Sequence, residues 1–260
     1  MVKFEAIMLE DFLRCSDLTP REVRKKVLQQ ISGFLESMGK SIASFGLVPN
    51  DLSSFDVENQ TRELLPERSI TVREEDLNAI SLLNEKQRHA FEIISHRVYE
   101  NKSGAFFVDG PGGTGKSFLY RALLADVRSK GYLALATATS GIAASILPGG
   151  RTAHSRFKIP IDLLEGRACR VSKQSSLAAM IRESKLIIWD EAPMSKRSAI
   201  EALNDLLQDL MNSSEIFGGK VVIFGGDFRQ TLPIVRRGNQ SETINACIIN
   251  SPLWPSLEKL

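Results

Sequence analysis

Eight consecutive residues, Gly110-Pro111-Gly112-Gly113-Thr114-Gly115-Lys116-Ser117, concentrate the strongest chemistry in the sequence. Glycines at these places let successive backbone N–H groups turn inward around an anion; the lysine adds a point charge and the serine a hydroxyl suited to a hard cation. The spacing is that of the G-x-x-x-x-G-K-[ST] phosphate loop. It lies directly after an apolar run, Ala105-Phe106-Phe107-Val108, and opens a helical stretch, whose N-terminus contributes further positive potential. A Gly-rich turn without a ligand is the bland alternative, and this flanking context weighs against it. On the functional reading, residues 110–117 together with Phe118 hold the phosphates of ATP. Lys116 neutralises those phosphates and Ser117 offers its hydroxyl to Mg²⁺.

A second constellation is Leu186-Ile187-Ile188-Trp189-Asp190-Glu191, an apolar strand ending in two adjacent carboxylates. Asp190 is placed to hold Mg²⁺, and Glu191 to orient and deprotonate an attacking water. An exposed acidic strand end is the common alternative, and the phosphate loop upstream decides against it. Val221-Val222-Ile223-Phe224 runs likewise into Gly225-Gly226-Asp227-Phe228-Arg229-Gln230, where Gln230 could reach the γ-phosphate or the attacking water. Gly-Gly-Asp is also an ordinary strand exit. Before the phosphate loop, Leu83-Asn84-Glu85-Lys86-Gln87 fits a plain helix cap, or an arrangement in which the Gln87 amide reads the adenine edge. Two hydroxyl-rich segments, Thr137-Ala138-Thr139-Ser140-Gly141 and Thr152-Ala153-His154-Ser155-Arg156-Phe157, carry groups suited to the backbone and bases of a single nucleic-acid strand. A solvated loop with a satisfied histidine is the more common explanation of such a run.

These residues need a scaffold, and the hydropathy pattern supplies one. A helix over 85–99 precedes the strand 105–108, and a helix over 116–130 follows the phosphate loop. Strand 132–138, a small helix over 142–146, strand 185–190, helix 199–211 and strand 220–224 come next. Short apolar strands alternating with helices predict an α/β fold, a parallel sheet covered on both faces. In such sheets ligands bind at the carboxyl ends of the strands, where the candidate residues fall. The division expected is a helical N-terminal extension and linker over 1–76 and a P-loop ATPase domain over 77–260. Within the extension Val23, Val27, Ile31, Phe34, Leu35 and Met38 share one helical stripe.

Composition narrows the class without choosing the function. The 260 residues are 43% hydrophobic and 25% charged with a net charge of +2, which fits a soluble globular chain. Residues 1–75 hold 10 Lys/Arg against 13 Asp/Glu, leaving 23 against 18 beyond them, so the core is only mildly basic. Cys15, Cys169 and Cys247 are scattered without metal-ligand spacing and read as reduced thiols of an intracellular protein. No apolar run approaches membrane-spanning length, and the early acidic residues argue against a secretory or transit peptide.

Taken together, LNEKQ, GPGGTGKS, TATSGIAASILPGGRTAHS, IIWDEAPM and GGDFRQTLPIV resemble, in order and separation, the Pif family of superfamily-one DNA helicases, most closely the plant and Helitron-transposon type. The resemblance covers residues 80–260. It implies a RecA-like domain using ATP and Mg²⁺ to drive 5′-to-3′ movement on single-stranded DNA and duplex unwinding, in DNA repair, recombination and telomere maintenance, and a nuclear location. By matching position it implies that Gln87 reads adenine, Lys116 and Ser117 hold phosphate and Mg²⁺, Asp190 and Glu191 complete the metal and water site, and Gln230 senses the γ-phosphate. Thr139, Ser140, His154 and Ser155 become DNA contacts.

Helicases of this kind resemble a pair of RecA-like domains with ATP between them, and no second phosphate loop or later arginine motif follows here. The expectation is therefore a chain truncated after its first motor domain, whose missing half comes from self-association or a separate chain. Two other readings stay open: a P-loop ATPase or kinase that does not act on DNA, and a non-catalytic nucleotide- or DNA-binding remnant.

Overall fold

A computed structural model of the chain describes residues 63–160, 169–235 and 238–260. The apolar helical stripe expected over Val23–Met38 lies outside these residues. Six strands form one sheet: β1 (Gly104–Asp109), β2 (Ala134–Ala138), β3 (Arg151–Thr152), β4 (Leu186–Asp190), β5 (Val221–Gly226) and β6 (Glu258–Lys259). Their order is β3-β2-β4-β5-β1-β6, and every pair is parallel.

Alternation along the strands feeds two separate cores. Ile187, Trp189, Val222, Phe224 and Phe107 point to one face, and Leu186, Ile188, Val221, Ile223 and Phe106 to the other. Parallel strands covered on both sides carry no polar face, which is why they read as continuous apolar runs. The helices are α1 (Leu64–Arg68), α2 (Glu74–Asn78), α3 (Glu85–Tyr99), α4 (Lys116–Ser129), α5 (Gly141–Ile146), α6 (Ala153–Phe157), α7 (Ser176–Glu183), α8 (Arg197–Met211) and α9 (Gln240–Asn245). The first core packs against α7 and α8, and the second against α3 and α4. On α8 the apolar residues Ala199, Ile200, Leu203, Leu206, Leu207 and Leu210 recur at three- and four-residue spacing and are all buried.

The four long strands and the helices α3, α4, α5 and α8 lie where the sequence pattern puts them, within two residues at each end. Five elements, β3, β6, α6, α7 and α9, have no counterpart in the sequence pattern. β3 and β6 have two residues each, too few for any period. The eight-residue α7 is a short helix capped by Ser175, whose side chain accepts the Ala178 N–H.

The segment ahead of α3 packs on the same core. Glu67, on α1, is buried between two arginines: its carboxylate lies 3.1 Å from Arg128 on α4 and 2.8 Å from Arg156 on α6. The Arg128 guanidinium also donates to the Pro148 and Ala134 carbonyls, each at 2.7 Å, and Arg156 donates to Gly149 O at 3.1 Å. On α2, Asp76 is buried against Arg121 of α4 at 2.6 Å. The expected boundary between residues 76 and 77 falls inside α2 (Glu74–Asn78).

Candidate nucleotide site

The site forms at the carboxyl ends of β1, β5 and β4. β5 separates β1 from β4, so the phosphate loop and the acidic pair stand two strand spacings apart, roughly 10 Å. β5 ends in Gly225-Gly226, both buried. A side chain at Gly226 would run into Pro193, its Cβ only 2.2 Å from that ring, so the residues after Glu191 close over the strand end.

The loop itself is held from three sides. Gly110 donates to Gly226 O at 3.3 Å, and Gly112 donates to the Asp227 carboxylate at 3.1 Å. Gln87 donates to the Thr114 and Gly115 carbonyls at 3.2 and 3.4 Å. Gly113 and Gly115 sit at φ 83° and 82°, a left-handed region that glycine enters without steric cost. Among the described residues, nothing accepts the N–H groups of Gly113 and Gly115. The Lys116 ammonium folds back onto the Gly110 and Pro111 carbonyls, the latter at 3.1 Å. Unpaired amides around a lysine whose only partners are loop carbonyls fit an oligophosphate, which would take both.

At the end of β4, Asp190 is nearly buried; its Oδ1 accepts the Glu191 N–H at 2.9 Å. Burial raises its pKa above the usual carboxylate range, with Glu191 adding to the rise and the Glu191 amide and Lys116 opposing it. Glu191 has φ 56° and ψ 31°, a conformation that costs a non-glycine residue about 1 kcal/mol and is retained where surrounding bonds enforce it. Those bonds come from the end of β2. Ser140 donates to Glu191 Oε2 at 2.6 Å, and Thr139 donates to the Glu191 carbonyl at 2.7 Å while accepting from Trp189 Nε1 at 3.0 Å.

These groups surround one cavity of about 340 Å³, lined by Gly112, Gly113, Gly115, Lys116, Ser117, Asp190, Glu191 and Gln230, with Gly226 and α5 residues Ile142, Ala143 and Ile146 completing it. A serine hydroxyl and one carboxylate are the hard oxygen donors that Mg²⁺ takes alongside substrate phosphates. Ser117 and Asp190 therefore fit a Mg²⁺ ion.

Other expected residues lie further out. The Gln87 amide is fully engaged: besides the loop carbonyls, its oxygen accepts the Asn84 N–H at 3.1 Å, so the capping and loop-facing roles coexist. Phe118 is half-buried against the second core and does not line the cavity. Thr139 and His154 line a second cavity of about 360 Å³ beside the first, together with Ser195, Lys196 and Leu232. Ser155 is exposed beside it in sequence, on α6. Ser140 faces Glu191 rather than this second cavity.

One residue was passed over in the sequence. Asp227 anchors the phosphate loop through Gly112, and its carboxyl is held below the ordinary range by the Arg229 N–H, the Arg229 guanidinium and Gly112. The adjoining Phe228 is fixed by stacking on Phe107, ring centroids 5.1 Å apart, and edge-on against Trp254 at 5.5 Å. The signal was the acid directly after a Gly-Gly strand end, which reads equally as a turn.

With the geometry in place, comparison with known proteins is specific. Residues 82–260 match the model of the family described as PIF1-like helicase. The chain is 33% identical over 176 residues to the ATP-dependent DNA helicase Pif1 of Bdellovibrio bacteriovorus, covering 66% of this chain and 36% of that protein. It is 27% identical over 168 residues to the ATP-dependent DNA helicase RRM3 of Saccharomyces cerevisiae, covering 63% and 22%. The crystal structure of the Candida albicans Pif1 helicase superposes with a TM-score of 0.56 at 25% identity, over 68% of this chain and 38% of that one. A Bacteroides Pif1 helicase in complex with ADP-AlF3 and single-stranded DNA gives 0.53 at 25% identity, over 66% and 39%. The chain thus spans well under half the length of each of these relatives.

Proposed function

The chain belongs to the PIF1-like helicase family, and from that premise we propose that it is the first, ATP-binding motor domain of an ATP-dependent DNA helicase, of the plant and Helitron-transposon type. The observation that carries this reading is the convergence of Lys116, Ser117, Asp190, Glu191 and Gln230 on one cavity. In the mechanism, backbone N–H groups of the loop and Lys116 bind the β- and γ-phosphates. Ser117 and Asp190 would hold Mg²⁺, which when bound would supply positive charge against the phosphates. Glu191, aimed by Ser140, orients the attacking water and takes its proton, and Gln230 on the rim contacts the γ-phosphate. Gln87 reaches adenine by giving up its bonds to the loop carbonyls.

DNA would run over the second cavity, contacting Thr139, His154 and Ser155, while Ser140, expected from the sequence as a fourth contact, is turned to Glu191 instead. Support comes from the lining of that cavity: Lys196 supplies a cation, and the buried Ser195 hydroxyl has no partner among the described residues. Burial lowers the His154 pKa, so at neutral pH it serves as a stacking or hydrogen-bonding group rather than a charge. Thr139 touches this cavity and also bonds Glu191, so DNA arriving there acts on the catalytic acid through a single residue. By resemblance the movement is 5′-to-3′, on single-stranded DNA ahead of a duplex, in nuclear repair, recombination and telomere upkeep. A second RecA-like domain, from further sequence, a separate chain or another copy, would supply the arginines that stabilise the transferred phosphoryl.

The test is Mg²⁺-dependent ATP hydrolysis with and without single-stranded DNA. We expect turnover that DNA raises and that Glu191→Gln abolishes. Turnover indifferent to DNA would remove the helicase reading and leave a P-loop ATPase of another kind.

A further inference from the structure

Tyr120 is a buried titratable group that the mechanism above does not use. It lies on α4, three residues beyond Ser117, with no exposed surface, and its hydroxyl has no hydrogen-bond partner among the described residues. A buried hydroxyl left unpaired is destabilising, and phenylalanine would fill the same space without that cost.

Where the hydroxyl sits is set by the sheet. A side chain at Gly225 would clash with it, the Cβ falling 1.6 Å from Tyr120 Oη, so the phenol occupies the side-chain position that Gly225 lacks. In the parallel pairing of β4 with β5, Trp189 stands opposite Phe224; continuing that register by one residue sets Asp190 beside Gly225. Leu186 and Ile188 on β4, and Val221 and Ile223 on β5, point to the core that contains Tyr120. Alternation puts the Asp190 side chain and the Gly225 position on that same face. The Tyr120 hydroxyl and the Asp190 carboxylate are therefore neighbours across one strand spacing, roughly 5 Å. Asp190 Oδ1 accepts the Glu191 N–H, and Oδ2 accepts no hydrogen bond among the described residues. A phenol is protonated at neutral pH and so donates, and a carboxylate oxygen accepts.

We propose that Tyr120 is a positioning residue for the metal site: its hydroxyl hydrogen-bonds the Asp190 carboxylate when Mg²⁺ and nucleotide are bound, and fixes the orientation in which that carboxylate faces Ser117. The inference rests on the nucleotide-site reading above. Groups that orient a metal-holding residue in this way typically change metal affinity 10- to 100-fold.

The experiment is equilibrium binding of ATP to the whole chain as a function of Mg²⁺ concentration, for wild type, Tyr120→Phe, Asp190→Asn and the double variant, with melting temperature read on each. Tyr120→Phe is expected to leave metal-free ATP affinity unchanged and to raise the Mg²⁺ concentration for half-maximal tight binding about ten-fold. Its melting temperature should hold or rise, and it should add nothing in the Asp190→Asn background. An unchanged Mg²⁺ requirement with a higher melting temperature would overturn the proposal and leave the hydroxyl as an unpaired group in the core. Additive effects in the double variant would overturn it as well. Wild-type ATP binding that Mg²⁺ does not tighten would sink the metal assignment and this inference together. Metal-free ATP binding lost in Lys116→Ala would still report separately on the phosphate loop.

Discussion

The Ser140 hydroxyl shows how much one side chain does at this site. It donates to Glu191 Oε2 at 2.6 Å and accepts the Ala143 N–H at 3.2 Å, capping α5 while it aims the proposed catalytic acid. Ser140→Ala should lower turnover about ten-fold, the value of one charge-assisted hydrogen bond, with ATP affinity little changed; Ser140→Thr should restore most of it. A rise in KM with kcat intact would contradict that role. At the other end of the sheet, Lys220 is buried just before β5 and donates to the Arg182 and Ser184 carbonyls at the end of α7, the latter at 2.7 Å. Burial, with Lys185 and Arg182 adding to it, lowers its pKa to about 8. Between that value and the ordinary lysine pKa of about 10.4, the unfolded chain binds the extra proton. Stability relative to Lys220→Met should therefore rise with pH across that window and stay level below it. Urea midpoints of both proteins from about pH 7 to about pH 10.5 would check this, and a constant difference would refute it. In the sequence, the phosphate loop and Asp190-Glu191 were legible because their chemistry dictates spacing along the chain. Ser140 and Asp227 were not, since their roles depend on which strand ends become neighbours.

Among the elements, the segment before α3 shows most plainly what periodicity misses. Pro66, weak hydropathy and a cluster of charges read as linker, yet α1 delivers Glu67 into the interior between Arg128 and Arg156. A buried carboxylate between two guanidiniums leaves no apolar signature, so the pattern that announces α8 is silent here. Among the described residues both arginines carry a buried Nε without a partner, and burial lowers the pKa of each. Breaking such an ion pair leaves uncompensated buried charge, at a cost of about 3–5 kcal/mol. Glu67→Gln should lose stability of that order, read as a shift of the urea midpoint at constant slope. A loss under about 0.5 kcal/mol, ordinary for a surface substitution, would mean that α1 is an appendage and not part of the domain. Arg156 belongs to the segment that carries His154 and Ser155, so the same bond steadies the proposed DNA face.

Across the whole molecule, the parallel sheet and its two cores were readable from short apolar runs between helices, while β3, β6, α6, α7 and α9 were not. The net charge of +2 gives little electrostatic pull on a polyanion. DNA affinity should therefore depend on the contacts over the second cavity and fall only modestly with salt. Around the two cavities Ile142, Ile146 and Ile234 are exposed, an apolar rim that a second RecA-like domain would cover. The arginines of a second RecA-like domain would act on turnover and not on the nucleotide pocket, which makes binding the more direct test of the central claim. Titration of the purified chain with ATP and Mg²⁺, beside Lys116→Ala, should show one site whose affinity falls at least about ten-fold in the variant. No binding, or equal binding by both proteins, would contradict the assignment of the cavity between β1 and β4 as a nucleotide site.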